Sequence, residues 1–285
     1  MKSIDICARR VASGLLAALI LSAVPTWLAG QDSKPSKVET TRSAAAPASE
    51  GAPLREVLRS PANALDAFAP MPDDIEVDGI IDEPVWGTAR VFTDFTQEQP
   101  VEGIPAEYDT EVRVVFGDGA IWVAARMWDP DPERIIARLD RRDDRGESDT
   151  FSMHLDPNLD GLTGYMFGVS AANVQRDTYM YNDDQLDFAW DAVWTSATRI
   201  DDQGWTLEMR IPLSQIRYQA SDAPQTWGIN FFRERTATAE RSYYALVSRL
   251  RRGRVSQMGR VDGVRVTRPS RRFEVLPYAV TSLHR

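Results

Sequence analysis

The chain has 285 residues, 43% of them hydrophobic, with eight Trp and a formal net charge of −9. That is ample apolar material for one large β domain or two small ones. The acidic balance argues against a nucleic-acid partner, because a phosphate backbone calls for a clustered excess of Lys and Arg.

At the amino terminus Lys2, Arg9 and Arg10 precede an apolar run over residues 11–24, and small residues follow up to Gly30. This is the three-part plan of a secretory signal, and the run is short for the ~20 residues that span a bilayer. Residues 1–30 are therefore expected to be a cleaved signal peptide. The product is expected in the periplasm, the outer membrane or the extracellular space. Cleavage removes Cys7, the one cysteine, and with it disulfides and Cys-based metal sites. Residues 31–72 are rich in Ser, Ala, Pro and Thr, as in SKPSKVETTRSAAAPASEGAP. Such a stretch offers too little apolar surface to offset ordering and reads as a disordered linker, with a short helix allowed within 54–68.

The folded part is expected over 73–268. Ile75-Glu76-Val77 reads as a brief strand and Asp78-Gly79 as a turn. Asp82 then stands as an N-cap ahead of Pro84, which places Trp86 one helical turn on, facing inward. The spacing is D-G-x-x-D-E-x-x-W. Further on, DTEVRVVF and AIWVAARMWD flank the turn Gly117-Asp118-Gly119, and Asp129-Pro130-Asp131-Pro132 follows. SDTFSMHLDP reads as a strand ending in an Asp-Pro turn, and residues 165–170 and 177–181 as a pair of strands. After Trp190-Asp191-Ala192-Val193-Trp194 comes the clearest pattern in the chain, in which Trp205, Leu207, Met209 and Ile211 alternate with Thr206, Glu208 and Arg210. That is a strand with one apolar face, stopped by Pro212 and followed by a single helical turn over Leu213–Ile216. The fold class is all-β: an antiparallel, jelly-roll-like β-sandwich with one or two short helices.

The ordered set of motifs, from D-G-x-x-D-E-x-x-W to GWTLEMRIPL, resembles the family 9 carbohydrate-binding modules attached to xylanases and related polysaccharide hydrolases. It is more closely similar to the family-9-like amino-terminal domain found ahead of an uncharacterised outer-membrane β-barrel family. The resemblance covers about residues 75–268. It implies a β-sandwich with a polysaccharide or oligosaccharide ligand, and it raises calcium as a cofactor, since family 9 modules carry it. Residues 271–285, RRFEVLPYAVTSLHR, alternate apolar and polar where the barrel-linked family would begin its first membrane strand, and about 10 residues is the length such a strand needs. The chain is then expected to be a fragment of a longer protein, the alternative being a terminal strand on the sandwich.

A sugar offers a flat apolar face and a rim of hydroxyls, so its site needs an exposed aromatic ring with carboxylates, amides or Arg around it. Loops on a rigid sandwich can present both. The candidates are Trp128 beside Asp129; Tyr179 and Tyr181 with Arg176 and Asp177; and Trp190 beside Asp191, after the acidic loop 182–185. Core packing competes for each of these rings, and more strongly for Trp86, Trp122, Trp194, Trp205 and Trp227. Asp156, Asn158 and Asp160, in D-x-N-x-D-G, match the start of a calcium loop, although Phe167 stands where a bidentate Glu would be needed; a polar hairpin is the competing reading. His154 sits within a strand, no H-E-x-x-H, P-loop or dinucleotide fingerprint is present, and Glu208, Asp149 and Glu147 cannot be promoted to catalytic carboxylates from sequence.

Three functions follow from this reading. The first is an exported module that binds glycans without catalysis. The second is an interaction domain of an outer-membrane barrel. The third is a hydrolase of O-glycosyl bonds.

Overall fold

The computed structural model describes residues 75–117, 119–144 and 146–267. The signal peptide, the linker, the helix within 54–68 and the terminal segment from 269 lie outside the described residues.

The strands in chain order are β1 (Arg90–Phe92), β2 (Thr96–Gln99), β3 (Thr110–Phe116), β4 (Ala120–Trp128), β5 (Thr150–Asp156), β6 (Gly164–Ser170), β7 (Gln175–Tyr181), β8 (Gln185–Asp187), β9 (Thr195–Asp201), β10 (Gly204–Pro212), β11 (Ser221–Arg235), β12 (Glu240–Tyr243) and β13 (Gly259–Val266). They form two antiparallel sheets. One has five strands in the order β1-β3-β4-β10-β9. The other has eight, in the order β2-β12-β11-β5-β6-β7-β8, with β13 pairing along the first half of β11. No α-helix occurs among the described residues. Pro84–Gly87 and Leu213–Gln215 are single 3-10 turns.

The two sheets bury their facing sides against each other. Val112, Val114, Val123, Met127, Trp205, Leu207, Met209 and Ile211 of the smaller sheet join Phe151, Met153, Leu155, Phe167, Trp227, Ile229 and Phe231 of the larger in one cluster. Phe116 meets Trp227 edge to face at 5.9 Å, and Phe92 meets Phe231 at 5.0 Å, so rings from opposite layers interlock. The alternation read in 205–211 is thus a strand with its apolar set in the core.

The other face of the five-stranded sheet differs from expectation. Alternation places Thr206 and Glu208 on the face opposite the core, yet both are buried, Glu208 to 1% exposure. The segment 75–88 lies across them. Ile75-Glu76-Val77 is not a strand, because its continuation makes hydrogen bonds to side chains instead of a ladder: Glu76 N donates to Glu83 Oε1 (3.1 Å), and Asp78 N to Glu208 Oε2 (3.1 Å). Nor does Asp82 cap a helix. The residue before the turn is Glu83, without a side-chain cap bond, and Trp86 packs with Val115 and Ala124 under Ile81 and Val85.

Candidate functional site

Strand alternation explains how the site is built. On the outer face of the five-stranded sheet the registers place Glu111, Arg126, Thr206 and Arg199 in one cross-strand row and Arg113, Ala124, Glu208 and Ala197 in the next. Segment 75–88 lies across Thr206 and Glu208, and beside it Glu111, Arg126 and Arg199 of the first row, with Arg113 and Ala124 of the second, line a groove of about 810 Å³. Gly79 to Trp86 form one wall, and Trp128, Ile200 and Asp201 lie at the far side.

Trp128 follows Arg126 by two residues in β4, so their side chains share a face, and the guanidinium lies 4.7 Å from the ring centroid. Arg126 is held in place by a two-pronged bond to Asp201 (2.5 and 3.0 Å) and by Gln203 Oε1 (3.2 Å). Burial raises the Asp201 carboxyl, but its bond and charge pairing with Arg126 and the amides of Gln203 and Gly204 outweigh this and hold it below the usual carboxylate range. Arg113 pairs with Glu111 and donates to the carbonyl oxygen of Trp86 (2.6 Å). The Trp128 ring is 38% exposed. The groove therefore combines an accessible indole with fixed charged pairs, the two requirements of a sugar site.

Glu208 lies beneath the groove and is not accessible. Its oxygens accept from Gly79 N (3.0 Å), Asp78 N (3.1 Å) and Trp86 Nε1 (3.0 Å), while Thr206 Oγ1 ties the carbonyl oxygen of Gly79 (2.7 Å). A general acid must reach the glycosidic oxygen. Sealed in this way, Glu208 holds segment 75–88 and cannot reach a substrate. Neither Asp149 nor Glu147 lines the groove. His154 is buried against Ser152 (3.0 Å) and Tyr243, and burial pushes its imidazole down to about 3.

The remaining sequence candidates lie elsewhere. Asp177 is fully buried. It accepts from Ala192 N (2.6 Å), Trp194 Nε1 (3.2 Å) and Arg142 Nη2 (2.5 Å), which fastens the loop between β8 and β9. Asp191 is on the surface, paired with the same Arg142 at 3.0 Å. Trp190 packs against Tyr165 (5.2 Å) and Phe167 (5.8 Å), and Tyr179 lies between Tyr165 (5.4 Å) and Tyr181 (6.4 Å, nearly parallel). Arg176 is one residue out of phase with Asp177, Tyr179 and Tyr181, so it projects from the opposite side of β7. The structure therefore groups Tyr179, Tyr181 and Trp190 at the edge of the larger sheet, away from Trp128 in the smaller one, and separates Arg176 from them.

In the hairpin loop after β5, Asp156 accepts from Asn158 N (3.2 Å), Asp160 N (3.3 Å) and Gly161 N (2.9 Å). Asp160 accepts from Leu162 N and Thr163 N (both 2.7 Å) and from Thr163 Oγ1 (2.7 Å). Both carboxylates accept from the loop's own donors, so the loop has the form of a self-capped turn. Among the described residues no three His, Cys, Asp or Glu side chains are grouped to hold a metal.

The residues that sequence reading passed over are Glu111, Arg113, Arg126 and Asp201. A signal for one of them was present, since Arg126 alternates with the candidate Trp128 in a strand and must share its face.

Residues 77–245 match the model of the carbohydrate family 9 binding domain-like family, more than half of the chain. The chain belongs to this family. This family 9-like domain is also similar to a family 9 carbohydrate-binding module from Caldicellulosiruptor kristjanssonii solved with cellotriose (14% identity, TM-score 0.48, 74% of this chain and 98% of that one). The same module solved with glucose gives 15% identity with the same TM-score and coverage. A protein of Bacteroides uniformis, described as a putative carbohydrate-binding protein, matches at 13% identity, TM-score 0.48, over 62% of this chain and 87% of that one. No curated protein matches the chain.

Proposed function

We propose that this family 9-like domain holds a glycan in the groove beside Trp128 and does not transform it. The observation that carries the proposal is the exposed Trp128 beside a groove of about 810 Å³ lined by the fixed pairs Arg126–Asp201 and Arg113–Glu111 and by Arg199. That volume falls in the roughly 300–1,000 Å³ range of small-ligand sites. The paired side chains give hydrogen bonds to hydroxyls without loose charges that would need ordering. Of the carboxylates at the groove, Glu111 is paired with Arg113, Asp201 with Arg126 and Glu83 with the Trp86 indole, while Glu208 is sealed under segment 75–88, which supports holding over hydrolysis.

Affinity electrophoresis of the full chain through gels cast with xylan or soluble cellulose derivatives tests this. Retardation by at least one glycan supports the proposal, and unchanged mobility in all of them contradicts it.

Export under the control of residues 1–30 is part of the same reading, and amino-terminal sequencing of the mature protein tests it. The role as an appendage of an outer-membrane barrel rests on residues 271–285, outside the described residues. Sequence following Arg285 that encodes many alternating segments of about ten residues would favour it.

A further inference from the structure

Two buried cations stand at the end of the sandwich nearest Trp128. Arg233 and Arg235 continue the inner face of β11 beyond Phe231, and both are nearly inaccessible. Arg233 Nη1 donates to the carbonyl oxygens of Tyr108 (3.3 Å) and Asp109 (3.0 Å) and to Thr110 Oγ1 (3.1 Å), and its Nη2 donates to the carbonyl oxygen of Trp128 (2.9 Å). Arg235 grips both oxygens of Asp129 (2.6 and 3.2 Å), and its guanidinium lies 4.7 Å from the ring centroid of Tyr108.

Buried ion pairs are a poor source of net stability, since apolar residues of equal volume often do as well. What this pair achieves is positional: each arginine joins the chain at Tyr108 to the chain at Trp128 or its neighbour. The two rings line one hollow of about 340 Å³, together with Asp94, Asp109 and Glu111. Trp128 and Glu111 also line the larger groove, so Trp128 is a wall common to both. Each ring is backed by a guanidinium, Arg126 behind Trp128 and Arg235 behind Tyr108. At the rim Asp94 adopts φ 61°, a conformation uncommon for a residue with a side chain and concentrated at binding sites.

We infer that the hollow between Tyr108 and Trp128 is a second sugar subsite continuous with the groove, so that the domain takes an oligosaccharide chain in preference to a single sugar, with Arg233 and Arg235 as positioning residues for the two rings. This inference rests on the glycan reading of the groove.

The test is calorimetric titration of the full chain with xylo- and cello-oligosaccharides from the disaccharide to the hexasaccharide. Affinity should rise about tenfold between disaccharide and tetrasaccharide, the equivalent of about 1.4 kcal/mol. Tyr108→Ala should erase that gain while leaving disaccharide affinity unchanged, and Tyr108→Phe should keep it, because the ring and not the hydroxyl forms the platform. Arg235→Lys retains the charge and loses the fork on Asp129, and should cut the gain by a larger factor than it lowers disaccharide affinity. Equal wild-type affinity for all lengths would overturn the second subsite and leave the groove intact. A uniform loss at every length in Tyr108→Ala would likewise overturn it, and binding of no oligosaccharide would overturn both readings.

Discussion

Glu83 and Glu208 share one donor, the indole N–H of Trp86, at 2.8 and 3.0 Å. The charged groups around the pair include Asp78, whose amide also donates to Glu208; Glu76, whose amide donates to Glu83 (3.1 Å); Asp82, next to Glu83; Arg113, bonded to the carbonyl oxygen of Trp86; and Arg199, bonded to the carbonyl oxygen of Asp78 (3.4 Å). The D-G-x-x-D-E-x-x-W spacing is therefore a clasp. Asp78, Gly79, Glu83 and Trp86 all close on Glu208 or on its partner, which fixes the wall of the groove.

Stability should respond to pH through this clasp. Burial chiefly raises Glu208 from 4.5 to about 7, the neighbouring Glu83 adds to the rise, and the Gly79 and Asp78 amides oppose it. The folded state thus binds the proton more tightly than the unfolded chain. The contribution is complete below about pH 4.5 and is lost as pH rises to about 7. His154, lowered from 6.5 to about 3, works the other way: its share is present above pH 6.5 and lost on acidification. Comparing Glu208→Gln with wild type separates the two. The difference in melting temperature between pH 4.5 and 7.5 should change by an amount up to about 3 kcal/mol in free energy, some 5–10 °C. Parallel curves would contradict this assignment.

Asp177→Asn should cost about 3 kcal/mol, because it weakens a fully buried acceptor of Arg142, Trp194 and Ala192. Glycan affinity in the Trp128 groove should stay within twofold of wild type. Thermal melts and titrations on the same preparation check both halves.

Chelation should leave the melting temperature unchanged within about 1 °C, since the carboxylates of Asp156 and Asp160 are occupied by their own loop amides and Thr163. Asp160→Ala should lower stability by about 1 kcal/mol through loss of the turn bonds. A chelator-induced drop would support calcium in this loop.

Gly204→Ala should be among the most damaging single changes. Gly204 pairs with Trp128, has φ +134°, and a Cβ there would lie 2.1 Å from the carbonyl oxygen of Met127. A loss of about 2–4 kcal/mol is expected, with weakened glycan binding because the Trp128 end of β4 must shift. Denaturant unfolding measures the first effect.

Much of the fold was legible in the sequence. The alternation of Trp205, Leu207, Met209 and Ile211, the hairpin around 117–119 and the pairing of 165–170 with 177–181 all correspond to observed strands. What alternation cannot reveal is what covers the second face of a sheet. The burial of Glu208 was not legible because its covering segment lies over 120 residues away in the chain. For the same reason Arg233 and Arg235 drew no notice, since their partners Tyr108 and Asp129 are more than 100 residues distant. The site was partly legible. Trp128 could be read as a strand-end ring, but Arg126 became visible only as its face-sharing neighbour. The parity of 176 against 177, 179 and 181 already placed Arg176 on another surface.

The most direct measurement is tryptophan fluorescence titration of the wild-type chain and of Trp128→Ala with whichever oligosaccharide retards the protein best in gels. The wild type should show a saturable change that Trp128→Ala loses, with affinity falling at least tenfold while the melting temperature holds. Unaltered affinity in the variant would place the ligand elsewhere and contradict the groove.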